Sequence, residues 1–253
     1  MSEQSVGDVG RRRLFRYGAV AAVAVVSAGL GAAGSAALLG PGEGAVSAGR
    51  AEPPVRTPDE ALARLRAGNE RWVAGTARHP NQSLARRRAV AGKQQPYAVV
   101  MGCIDSRVAP ELVFDAGIGD LFVLRTAAHT LDDLIEGSDE YGPAENGTPV
   151  LLVLGHQRCG AVTAAVETLL RHGHAHGHIE DIVEEIEPAF RAARASGASG
   201  PDLVERTIRE HIRLTVQELS RDDLLTPLVA RRALRVLGGY YSLDTGRVEF
   251  LPG

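Results

Sequence analysis

Cysteine is almost missing from this chain: Cys103 and Cys159 are the only two in 253 residues. That excludes the multi-bridge framework of small secreted domains and leaves either one bridge or two free thiols. Lysine is scarcer still, since Lys93 stands alone and arginine supplies the rest of the 28 basic residues, a bias that reads as genome composition rather than function. There is no surplus of positive charge either. A formal net charge of −3 removes the electrostatic footprint expected of a nucleic-acid partner or an anionic surface. No internal repeat is visible. What is present is ordinary for a soluble globular protein, with 44% hydrophobic and 23% charged residues.

The first fifty residues read as an address. Arg11-Arg12-Arg13-Leu14-Phe15-Arg16 precedes an uncharged run rich in Ala, Val and Gly from Gly18 to Leu39, and small residues gather at Ala45-Val46-Ser47-Ala48. Basic, then apolar, then small is the order of a secretory signal. Arg12-Arg13 followed by Leu14-Phe15 is similar to a twin-arginine export signal. The expectation is an exported, extracytoplasmic protein cleaved after Ala48, with residues 1–48 as signal and 49–253 as one domain large enough for a full core. An uncleaved membrane anchor is the alternative, opposed by how weakly apolar a Gly- and Ala-rich run is. Export in the folded state would let a metal enter in the cytoplasm, while both thiols are reduced.

Thr57-Pro58-Asp59-Glu60 predicts a helix start, with Thr57 as cap, Pro58 in the first turn and Glu60 closing a capping box; the helix runs through Leu65 and Trp72 to near Gly75. Residues 76–96 read as polar and irregular. Tyr97–Met101, Leu121–Leu124 and Val150–Leu154 are short continuous apolar runs, the mark of strands buried on both faces. An Ala-rich helix follows Cys159-Gly160 to about Arg171, and further helices are expected over 179–194 and 202–220. Val236 to Phe250 reads as two short strands around Asp244-Thr245-Gly246. Strands alternating with helices predict an α/β fold with a largely parallel central sheet flanked by helices.

Both cysteines sit just past the ends of predicted buried strands, where open α/β sheets form their ligand sites. Gly155-His156-Gln157-Arg158-Cys159-Gly160 places two donors three residues apart at a strand-to-helix turn, and Cys103 adds a third. Two thiolates and one imidazole make a Cys2His set with a free fourth position, the pattern of a catalytic zinc. Soft sulfur with imidazole favours zinc over magnesium or calcium. Asp105 and Arg107 follow at alternating positions. Asp105 either accepts a proton beside the metal or serves as a fourth ligand, and a bidentate contact from Arg107 would decide which. A plain surface salt bridge is the bland alternative.

At this point the motifs resemble those of β-class carbonic anhydrases. Cys103-Ile104-Asp105-Ser106-Arg107-Val108 with Pro110 resembles the first signature, and Gly155-His156-Gln157-Arg158-Cys159-Gly160-Ala161-Val162 the second. Gly119–Arg125, Gly137–Tyr141 and Gly239–Gly246 also fit, so the likeness runs over about residues 57–252. It implies reversible hydration of CO2 to bicarbonate and a proton, one Zn2+ per chain on Cys103, His156 and Cys159, and an Asp105–Arg107 dyad. In some members the counterpart of Asp105 closes onto the zinc. It also implies a homodimer or higher even oligomer with the sheet running across the interface. Members that close and bind bicarbonate as an inhibitor carry a Trp three residues before the first cysteine ligand. Here that position is Val100, and the only tryptophan is Trp72, so the expected resting state is open.

Ile104 and the stretch Arg125-Thr126-Ala127-Ala128-His129 depart from the commoner family residues, which bears on pocket shape and rate. Relatives that hydrolyse CS2 or COS share the same site, and a non-catalytic zinc protein is the rival from another class; the dyad argues against the latter. His172-Gly173-His174-Ala175-His176-Gly177-His178 reads as a solvated Gly/His loop, with an accessory metal site as the other reading.

Overall fold

The computed structural model describes residues 54–251, so the export-signal reading of residues 1–48 lies outside the described residues. The first helix, α1 (Pro58–Val73), starts as its sequence demands: Glu60 N–H donates to the Thr57 hydroxyl, and the Glu60 carboxylate accepts from the Thr57 N–H. Three strands then rise in parallel, β1 (Ala98–Cys103), β2 (Leu121–Thr126) and β3 (Val150–His156), joined by β4 (Arg235–Tyr241) and the antiparallel β5 (Val248–Leu251). The spatial order is β2-β1-β3-β4-β5.

β1 and β3 are buried along their whole length, which is why they read as unbroken apolar runs. Alternate side chains feed two cores. Val99, Leu151 and Val153 face α5 (Gly160–Leu170), α6 (Ile179–Ala195) and α7 (Pro201–Leu219), while Ala98, Val100, Leu152 and Leu154 face Ala61 and Leu65 of α1. Helices on both faces, with no helix among the described residues long and apolar enough to cross a membrane, complete the expected α/β architecture.

Four helices lie where no helix was expected: α2 (Leu84–Ala89), α3 (Pro110–Val113), α4 (Asp133–Asn146) and α8 (Thr226–Ala230). Three are single short turns. The fourth is long, but Gly137, Gly142 and Pro143 break its helical pattern. Asp132 caps its start by accepting from Leu134 and Ile135, and Gly147 ends it in the left-handed region (φ 65°). Gly142 is required by packing, since a Cβ there would sit 2.5 Å from Val99 Cγ2. The same helix buries Asp139 completely, with neither carboxylate oxygen partnered. Burial, helped by Glu136, pushes that carboxyl up to about 7.

Candidate metal centre

β1 and β3 run side by side with Gly102 opposite Leu154, so their carboxyl ends finish level. Cys103 is the last residue of β1, His156 the last of β3, and Cys159 is the N-cap of α5. The chain turns between the last two through Arg158 in the left-handed region (φ 52°), a strained conformation kept at a working site. Ligand atoms of all three residues lie within 4.8 Å of one another, and all three residues are buried.

Three observations test the fit of this cluster to zinc. The two sulfurs are 3.9 Å apart, too far for a disulfide of about 2.05 Å. Two sulfurs held at about 2.3 Å from one tetrahedral ion stand about 3.8 Å apart, so the spacing suits a shared ion. His156 Nδ1 lies 3.0 Å from the Gln157 carbonyl, which only accepts; Nδ1 therefore carries the proton and Nε2 the lone pair. That Nε2 is buried with no hydrogen-bond partner. A buried imidazole lone pair aimed at two thiols is costly unless something binds it. The residues fit Zn2+, with one coordination position left over.

Backbone donors prepare both sulfurs for thiolate chemistry. Ala128 N–H points at Cys103 Sγ across 3.3 Å. Cys103 is drawn down to about 4, chiefly by the Cys159 thiol, while Cys159, holding the shared proton against Cys103 and buried, is pushed up. The N–H groups of Ala161 and Val162, at the positive end of α5, pull Cys159 the other way.

Asp105 lies just outside this cluster. Arg107 grips it in a fork, Nε to Oδ1 at 2.9 Å and Nη2 to Oδ2 at 2.7 Å, and the Arg107 N–H adds a third bond at 3.0 Å. The guanidinium holds the carboxyl far below the usual carboxylate range. Asp105 Oδ2 is still only 3.8 Å from His156 Nε2. Of the four candidate ligands, the structure thus gathers Cys103, His156 and Cys159 and turns Asp105 to Arg107.

Sequence reasoning named no role for three further groups. Arg125 donates to the carbonyls of Cys103 (2.8 Å) and Asp105 (2.6 Å), clamping the backbone that carries ligand and dyad. Its place in a matching motif was the available signal. Ala128 and His129 both take left-handed φ (56° and 51°), and this turn presents the Ala128 N–H to Cys103. His129 stacks on His211 of α7 with ring centroids 4.6 Å apart, both buried. Gly155 leaves room chiefly for Ile212 of α7, since a Cβ there would lie 2.5 Å from Ile212 Cδ1, and also 3.2 Å from His129 Cε1.

Known proteins resemble this chain in sequence and fold. A family profile described as carbonic anhydrase matches residues 98–248. Carbonic anhydrase 2 of Mycobacterium tuberculosis is 40% identical over 195 residues, spanning 77% of this chain and 93% of that protein. A solved β-carbonic anhydrase of Coccomyxa, in complex with acetazolamide, superposes with a TM-score of 0.58 at 26% identity, over 75% of this chain and 86% of that one. A structure reported with two tetrameric β-carbonic anhydrases of Sordaria macrospora gives a TM-score of 0.60 at 22% identity, over 73% and 93%, a likeness of fold. The chain belongs to the carbonic anhydrase family, in its β-class.

Proposed function

We propose that the Cys103–His156–Cys159 cluster, with Asp105 held beside it by Arg107, carries out the reversible hydration of CO2 to bicarbonate and a proton. The observation that carries this reading is the juxtaposition itself: three buried donors converge, and an ionised carboxylate is fixed 3.8 Å from one of them. When bound, Zn2+ acidifies water, so that a nucleophile is available near neutral pH. Two thiolates donate more charge than imidazoles and oppose that acidification. The Ala128 N–H, by bonding Cys103 Sγ, withdraws some of that charge. Asp105 accepts a hydrogen bond from the attacking water and orients its lone pair toward CO2; Arg107 keeps the carboxylate ionised and off the fourth ligand position. CO2 is small and apolar, so the site needs few polar contacts to admit it. Stopped-flow CO2 hydration by the zinc-loaded protein tests the reading. Activity at background with full zinc would contradict it.

The same reading gives an open resting site. Val100 occupies the position where closing relatives carry a tryptophan, and Trp72 is committed elsewhere, its Nε1 donating to Tyr241 Oη at 3.2 Å. We further propose a homodimer or higher even oligomer. β2 is an edge strand of half-exposed residues, and Leu134 and Tyr141 of the adjoining α4 are exposed, as suits a covered face. The Sordaria proteins are described as tetrameric. Finally, Arg12-Arg13 ahead of the apolar run supports export by a twin-arginine route. Replacing both with Lys should strand the precursor in the cytoplasm; unchanged export would point to another route or an anchor.

A further inference from the structure

The loop between α5 and α6 places four histidines in seven residues, His172, His174, His176 and His178, separated only by Gly173, Ala175 and Gly177. All four are exposed, and the small residues between them put no bulk in the way. Both ends of the loop are tied down: His172 and Gly173 N–H donate to carbonyls of α5, and Ile179 N–H to the His176 carbonyl. None of this alone distinguishes a metal site from a run of solvated imidazoles. The first turn of α6 does.

His174 Nδ1 lies 2.8 Å from Glu180 Oε1, and the other oxygen of Glu180 accepts from the Ala175 N–H at 2.5 Å. His178 Nδ1 lies 3.2 Å from Asp181 Oδ2. An ionised carboxylate only accepts, so each Nδ1 carries a proton. Glu180 favours the charged ring of His174, so each Nε2 offers its lone pair once its imidazole is neutral. The side chains of His174 and His178 are 87% and 103% exposed, so both lone pairs face solvent. Carboxylate on one ring nitrogen and a free lone pair on the other is how metal-binding imidazoles are oriented and made more basic.

We propose that the His172–His178 loop is a second metal site, taking a borderline divalent cation such as Ni2+ or Zn2+ on the Nε2 atoms of His174 and His178, with His172 and His176 completing the set. Imidazoles as the sole donors suit these ions over magnesium or calcium. Eleven residues of α5 separate the loop from Cys159, about 16 Å of helix, so the two sites cannot share an ion. The Cys103 cluster is the one group of three donors already gathered among the described residues. The loop must therefore gather its rings on binding and holds its ion more weakly than the buried cluster does.

The test is calorimetric titration of the zinc-loaded enzyme with Ni2+. The wild-type protein should take up about one Ni2+ per chain beyond its zinc. A His174→Ala/His178→Ala variant should bind at least about tenfold more weakly, and Glu180→Gln also about tenfold, the low end of what losing an orienting partner costs a metal site. CO2 hydration should be unchanged in all of them, which separates this proposal from the reading of the buried centre. No Ni2+ uptake by the wild-type chain, or undiminished affinity in the double variant, would overturn it. Undiminished affinity in Glu180→Gln counts against it equally, because the orienting carboxylate is the basis of the proposal.

Discussion

Besides the His129–His211 stack, two regions among the described residues bury polar groups without an ordinary hydrogen-bond partner, and they differ in direction. At the carboxyl ends of β1 and β3, His156 Nε2 and two sulfurs point at one another within 4.8 Å. On α4, Asp139 is as deeply buried and as unpartnered, yet no donor faces it. Burial raises the energy of both. Only in the first do the groups share a focus where one cation can satisfy all of them. Convergence, rather than burial or a displaced titration, marks the functional site.

The largest expected effect comes from breaking the convergence itself. Cys159→Ser removes one of two thiolates, so zinc content should fall from near one per chain toward none, and CO2 hydration to background. The loss exceeds the roughly hundredfold cost of an outer-shell partner. Metal analysis beside stopped-flow assay checks it; a variant with full zinc and full activity would break the assignment.

Next comes Arg107→Ala, which leaves the three donors in place and frees Asp105. The carboxylate should then swing onto the metal, abolishing catalysis, a loss of about 10² to 10⁴-fold, while zinc stays bound. Equal loss of zinc and activity would mean that Arg107 supports the cluster rather than the dyad.

The smallest of the three falls on the region that does not converge. With Asp139 at about 7 against an ordinary 3.8, the native state holds a proton that the unfolded chain has released in between. Stability therefore falls as pH rises from about 4 to about 7 and levels off above. Asp139→Asn should stabilise the protein at about pH 8 by up to about 4 kcal/mol, with the gain vanishing near pH 4 and zinc content unchanged. Denaturant melts at the two pH values measure it. A destabilised variant at pH 8 would show that the carboxylate has a partner in the assembly.

The sequence made the converging region legible and the other opaque, for physical reasons. β1 and β3 are sandwiched between helices, so they appear as unbroken apolar runs, and their ends locate Cys103 and His156. Spacing then placed Cys159. By contrast α4, interrupted by Gly137, Gly142 and Pro143, is a helix because tertiary packing overrides propensity, with Gly142 set against Val99. The Ala128 N–H on Cys103 was equally invisible, because a backbone donor has no side-chain signature. The His129–His211 stack joins residues far apart in the chain: His129 lies in a stretch the sequence singled out, but nothing local marks His211 as its partner.

We propose that the converged site rests open, with Asp105 on Arg107 and not on the metal. Asp105 is held so far below the usual carboxylate range that its pair with Arg107, formed above the ordinary value, should survive until strong acid. X-ray absorption of the zinc-loaded protein at about pH 7.5 tests this directly. Two sulfurs, one imidazole and one water oxygen around zinc are expected. A shell of two sulfurs, one imidazole and a carboxylate, with no water, would contradict it.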